Sequence, residues 1–243
     1  SDNIITSEDD GSAIVTRWLV EAEPPLEMTK PLPPLNAVDG IGEPIVEWRR
    51  QTLSASDRKF TTLSALYQMT QVILLADGIK GFDEKTMVNR PTDAELSGAY
   101  TFVADWWHMV LRNFTPWRRG IERPMILPDL RAYQAEYSLL FRPVGQIAFM
   151  HALVGAVQLG RPLERALEYA EDQGWSASDP LFHDTVVYAN GHMATSEAAV
   201  RLAGRLGTYL VAGDLMKDEA IEKLESDLAQ AKADLSFELP GID

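Results

Sequence analysis

The side chains here that could do chemistry form two sets: a sparse one of histidines and carboxylates, and a denser one of arginines. The histidines are His108, His151, His183 and His192. None has the spacing that sets two imidazoles and a carboxylate on one helix face around a metal. His151 lies in an apolar run and reads as a core imidazole with one hydrogen bond. His183 and Asp184 are adjacent, and Asp179 and His192 lie close in sequence. Those four could act as an acid-base or metal cluster. The plainer reading is a loop held by its own hydrogen bonds. There is no Walker loop, nucleophile elbow or dinucleotide fingerprint, so the sequence predicts no cofactor. With no cysteine, disulfides and thiolate metal sites are excluded.

The arginines are more informative. Arg49, Arg50, Arg58 and Lys59 flank the start of one apolar segment, and Arg118, Arg119 and Arg123 follow Trp117 in "TPWRRGIER". Arg201 and Arg205 are four apart, on one helix face. A guanidinium presents a planar fork of donors that suits a phosphate oxygen pair. Arg49, Arg50, Arg58, Lys59, Arg118, Arg119 and Arg123 are therefore the candidate nucleic-acid contacts. Against this stands a net charge of −14, whose long-range field repels polyanions. With 36 acidic residues present, the competing expectation for each arginine is a carboxylate partner. The six tryptophans could stack single-stranded bases, but helical spacing assigns most of them to a core.

These groups need elements to hold them, and the apolar periodicity supplies helices. "AIVTRWLVEA" (13–22) predicts a short amphipathic helix with Ile14, Trp18 and Leu19 on one side. Pro24, Pro25, Pro31, Pro33 and Pro34 then force an extended crossing. "EPIVEW" (43–48) reads as a short strand or an extended segment. The spacing of Leu63, Leu66, Tyr67, Thr70, Ile73 and Leu74 predicts a helix over about 60–76, with Ser54 and Ser56 placed to cap it and Gly78 to stop it. Thr92 and Glu95 form a capping-box pattern for a helix whose face is Leu96, Tyr100, Val103, Trp107, Val110 and Leu111, ending near Pro116.

Beyond Pro116, "PDLRAYQAEYSLLF", "PVGQIAFMHALVGAVQLG" and "PLERALEYAEDQ" read as further helices, the second apolar all round and so central. Ser196 caps a helix that Gly213 ends, and Gly204 and Gly207 within it permit close helix packing. An acidic helix over about 215–234 comes last. The expected architecture is mainly α, a single compact helical bundle (43–243) behind an acidic tail, short helix and extended Pro-rich N-terminal arm (1–42). No apolar run approaches the roughly 20 residues that span a bilayer. The start "SDNIITSEDDGSAIV" is acidic where a secretion signal is basic. The sequence thus predicts a soluble, cytoplasmic chain with no membrane association.

Three segments carry a family resemblance. "TLSASDRKFTTLSALYQMTQVILL" (52–75), "RPTDAELSGAYTFVADWWHMVLRNFTPW" (90–117), and the pair "LRAYQAEYSLLFRPVGQIAFMHALVGAV" with "WSASDPLFHDTVVYANGHMATSEAAVRLAGRLGTYLVAG" resemble the C-terminal helical portion of DndB-like, or DGQHR-domain, proteins, which are associated with DNA phosphorothioation. Phe182 stands where that pattern has Trp. The Asp-Gly-Gln-His-Arg string that names the family is absent, and "VDGIGE" (38–43) does not replace it. In relatives that string lies in an upstream α/β region, whose activity does not carry over. A C-terminal fragment, a partner-dependent half and a divergent short member all remain open.

The resemblance implies a DNA-associated regulatory or accessory role in bacterial DNA modification and phage defence. ATP hydrolysis is implied only as something attributed to some members. The alternative expectation is a non-catalytic helical scaffold or homo-oligomer that docks a protein partner through residues 23–48.

Overall fold

The structure is a computed structural model and describes residues 10–21, 45–76, 82, 90–188 and 190–241. It is mainly α, as the periodicity predicts, with nine α-helices and one pair of two-residue strands among the described residues. They fall into two compact units, Ser1–Pro128 and Asp129–Asp243. The Pro-rich arm and the stop at Gly78 lie outside the described residues.

In the first unit, α1 (Gly11–Glu21) packs against α2 (Leu63–Ala76) and α3 (Asp93–Asn113). Strands β1 (Val46–Glu47) and β2 (Thr61–Thr62) pair in parallel, Val46 opposite Thr61. β2 runs straight into α2. Helix α2 begins at Leu63, later than the periodicity suggests, and its cap is Thr62, whose hydroxyl accepts from the Ala65 amide at 3.2 Å. Ser54 and Ser56 therefore do not cap it. They sit in a separate turn, where Asp57 accepts from the Ser54 amide at 2.5 Å. The local carboxylate wins because a short polar side chain can bond its own turn more readily than a distant helix start.

Helix α3 starts as its residues predict. The Glu95 amide donates to the Thr92 hydroxyl at 3.3 Å and the Thr92 amide donates to Glu95 at 2.7 Å. Two helix-start donors are thereby satisfied, and the acidic first turn suits the positive end of the helix dipole. Leu96, Tyr100, Val103, Trp107 and Val110 are all buried, whereas Leu111 is half-buried. Phe114 ends α3 and begins α4 (Thr115–Glu122), with Pro116 in the first turn of α4, where its missing N–H costs nothing.

Helix α5 (Leu127–Leu130) spans the division between the units. In the second unit, α6 (Pro143–Gln158) lies against α8 (Glu197–Ala212), with α7 (Leu163–Asp172) and α9 (Asp218–Lys232) beside them. The α6–α8 contact is close because three of its positions lack a side chain. A Cβ on Gly204 would come within 2.5 Å of the His151 Cβ, and one on Gly207 within 2.6 Å of the Ala152 Cβ; Gly155 abuts Thr208 in the same way. The helix expected over 128–141 is not formed beyond Leu130. The Trp175 amide instead donates to the Glu136 carbonyl and the Leu139 amide to the Trp175 carbonyl, both at 2.9 Å. The Ser138 hydroxyl donates to the Tyr133 carbonyl at 3.0 Å. These partners far along the chain satisfy backbone groups that a helix would otherwise use.

Candidate nucleic-acid interface

The two basic stretches of the first unit meet one aromatic cluster. Trp117, fully buried, stacks on Trp107 at 5.7 Å between centroids and takes Phe60 at 5.4 Å and Phe114 at 5.9 Å edge-on. Phe60 follows Arg58 and Lys59; Trp117 precedes Arg118 and Arg119. Burial of Phe60 and Trp117 in one core therefore ties both cationic stretches to the same body. Phe60 is anchored further by its amide, which donates to the Ile45 carbonyl at 2.7 Å.

The individual cations differ in what occupies them. Arg50 donates to Glu47 and to Asp57, each at 2.9 Å. The Arg50 guanidinium holds Asp57 down at about 2, and the Ser54 amide adds to the effect. Glu47 is also lowered, first by the Arg49 amide and then by the Arg50 side chain. Arg50 is thus committed to carboxylates, as the competing expectation held. Arg49 is exposed and contributes its amide to Glu47 at 2.9 Å. Arg118 is half-buried, its guanidinium donating to the Arg112 carbonyl at 2.9 Å, which caps the end of α3. Arg58, Arg119 and Arg123 are exposed, and no carboxylate pairs with them among the described residues. Lys59 is half-buried next to Arg58.

Arg112, not singled out by the sequence, belongs with this group: it is exposed on the last turn of α3, and Arg118 folds onto its carbonyl. Its position just ahead of "NFTPWRR" was the available signal. The carboxylates within these two stretches are Asp57 and Glu122, so the local balance is cationic in a chain that is acidic as a whole. By contrast Arg201 pairs with Glu197 at 2.6 Å and Arg205 with Asp227 at 2.5 Å, which removes both from the candidates for phosphate contact. Trp106, Trp107, Trp117 and Trp175 are buried and offer no stacking face.

The histidine and carboxylate set does not assemble. Asp179 accepts from the Leu181 amide at 2.8 Å as the cap of a single turn. His183 and Asp184 line an open cleft of about 510 Å³ with Lys232 and Phe237, but Asp179 and His192 do not. Lys232 donates to the carbonyls of Pro180 and His183 at 2.9 and 2.6 Å, and burial lowers its pKa. No group of three potential metal ligands occurs among the described residues. His151 is half-buried beside Gly204, with no hydrogen bond to its ring among the described residues, and burial followed by the nearby Arg201 pushes its pKa down. No described helix is long and apolar enough to cross a membrane. Comparisons with protein-family models, curated proteins and solved structures gave no match to this chain in any of the three.

Proposed function

We propose that this chain is a DNA-associated regulatory or accessory protein of a bacterial DNA-modification or phage-defence system, acting in the cytoplasm and contacting phosphates through Arg58, Arg119 and Arg123. The observation that supports it is that these three guanidinium groups stay exposed and free of carboxylates among the described residues, in a chain with a large acidic excess. Arg49, Lys59, Arg112 and Arg118 would extend the contact along a backbone. The link to DNA modification rests on the resemblance of residues 52–75, 90–117 and the C-terminal segments to DndB-like proteins. No catalytic role is assigned, because no cluster of acid, base or nucleophile accompanies the cations among the described residues.

The test is duplex binding by the full chain, followed by fluorescence anisotropy across about 50 to 200 mM salt. The plot of log affinity against log salt should be steep, and Arg58→Ala, Arg119→Ala and Arg123→Ala should each flatten it by roughly one unit of slope. Arg50→Ala should change it less, since Glu47 and Asp57 already hold that side chain. Absence of duplex binding at low salt, or equal effects of Arg50→Ala and Arg119→Ala, would overturn the assignment.

A further inference from the structure

Lys232, the last residue of α9, lines the open cleft of about 510 Å³ in the second unit, together with Pro180, His183, Asp184 and Phe237. It is half-buried and forms no ion pair with a carboxylate among the described residues. Its Nζ donates instead to two backbone carbonyls, of Pro180 at 2.9 Å and of His183 at 2.6 Å, and lies 5.3 Å from the centre of the Phe237 ring. An ammonium has three N–H donors, a neutral amine two. The two carbonyls therefore occupy as many donors as a neutral amine has, and such an amine keeps its lone pair. Burial draws the Lys232 pKa down, against the pull of Asp184, Asp179 and Asp234, which favour the charged form.

Both walls beside this amine are fixed. On one, Asp179 accepts from the Leu181 amide at 2.8 Å, and the Asp184 amide donates to the Val187 carbonyl at 2.7 Å. The other is the stretch after α9. There the Leu239 amide donates to Glu225 at 3.0 Å, and the Tyr209 hydroxyl donates to the Pro240 carbonyl at 2.7 Å. Two non-glycine residues have left-handed backbone among the described residues: Asp184 (φ 59°), next to His183, and Ala233 (φ 51°), next to Lys232. Such backbone persists where its surroundings over-determine it, and it gathers at binding sites. A cleft of this volume suits a small molecule.

We propose that Lys232 is a nucleophilic amine that captures a small, uncharged aldehyde or ketone in this cleft as an imine. The Nζ lone pair forms a bond to the carbonyl carbon while the carbonyl π pair moves to oxygen. The nitrogen gives up a proton and the oxygen takes one, which leaves a carbinolamine. The nitrogen then releases its second proton, the hydroxyl takes one and departs as water, and a C=N bond remains. Nothing is oxidised or reduced. Asp184 and His183 line the same cleft and are the groups that carry those protons. Once protonated, the imine keeps one N–H for one of the two carbonyls. Asp184, Asp234 and Glu238 outnumber the single lysine of the lining, which disfavours an anionic carbonyl compound. The site lies in the second unit and does not rest on the duplex-contacting arginines of the first.

The test is reductive labelling of the full, folded chain. The protein is treated with glycolaldehyde and cyanoborohydride, and the secondary amine formed at each lysine is measured by peptide mass spectrometry. Lys217 and Lys223, both exposed, serve as internal references. At neutral pH Lys232 should label about tenfold faster than either, because a desolvated amine is more often neutral. A lysine held there only for packing would label more slowly than both, since the aldehyde reaches exposed amines more easily. The pH of half-maximal labelling should be lower for Lys232 than for the references, and the difference should vanish in guanidinium chloride. With glyoxylate, an aldehyde that carries a carboxylate, the preference for Lys232 should shrink by about threefold or more. The proposal is overturned if Lys232 labels no faster than Lys217 and Lys223, if its half-maximal pH is not lower, if the selectivity survives unfolding, or if glyoxylate shows the same preference as glycolaldehyde.

Discussion

The same chemical change, a glycine to alanine, should have opposite signs at two helical positions of this protein. At Gly207 in α8 the added Cβ would lie 2.6 Å from the Ala152 Cβ and 3.0 Å from the outer edge of Trp175. Ala152 cannot rotate its Cβ away, because that atom is fixed to the backbone of α6. Trp175 cannot yield either: it stacks on Phe182 at 5.6 Å and meets Phe149 edge-on at 5.1 Å, and its indole N–H donates to the Ala170 carbonyl at 2.8 Å. Relief requires the two helices to separate, which opens the most extensive helix-to-helix contact among the described residues of the unit. Overpacking of this kind costs about 1–3 kcal/mol, which outweighs the gain of about 1 kcal/mol in helix propensity. At Gly98, exposed on α3, a Cβ meets nothing within 4 Å. Only the propensity remains, so Gly98→Ala should stabilise by roughly 0.5–1 kcal/mol. Urea unfolding followed by circular dichroism reads both, with midpoint shifts of up to about 1 M in opposite directions. A Gly207→Ala protein as stable as the natural chain would refute the packing of α6 on α8 described above.

Two further outcomes follow from the first unit. Trp117→Ala removes the side chain shared by Trp107, Phe60 and Phe114, and should cost about 3–5 kcal/mol in chemical denaturation, with a matching loss of duplex affinity because both cationic stretches are anchored there. A small effect on stability would show that the cluster is not the core of the unit. The Asp57 carboxyl sits at about 2 when folded, against an ordinary 3.8, because Arg50 favours its charged form. Its contribution, about 1 kcal/mol after screening of the half-exposed Arg50, is therefore complete above pH 4 and disappears as pH falls through 2. Asp57→Asn should lower stability at pH 6 and leave it unchanged below pH 2; an equal loss at both would assign the effect to packing.

What the sequence made legible was local. The capping box at Thr92 and Glu95 and the helix-to-helix contact of Gly204 and Gly207 each depend on residues three or four apart, and those spacings survive in the fold. What it hid was non-local. Leu130, Tyr133, Tyr137 and Leu140 have helical spacing, but the stretch is bent into turns by hydrogen bonds to Trp175, more than thirty residues on. The same limit applied to the sites. Clusters of arginine were visible as composition, yet whether each was occupied was decided by partners such as Asp57 for Arg50 and Asp227 for Arg205. The pairing of Tyr133 with His183 likewise joins residues 50 apart.

A chain with a net charge of −14 can still present a cationic face, because the two quantities act over different distances. At about 0.1 M salt the field of a distant carboxylate is screened beyond roughly 10 Å, whereas a guanidinium touching a phosphate acts at direct contact. The total charge therefore governs how fast a polyanion approaches, and the occupancy of each arginine governs whether it stays. Pairing Arg50 with Glu47 and Asp57 while leaving Arg58, Arg119 and Arg123 exposed sets which cations can exchange a solvent ion for a phosphate. Counterion release depends on that number of free contacts and not on the net charge. The salt slope is therefore the measurement that separates a dedicated cationic face from arginines scattered over an acidic surface.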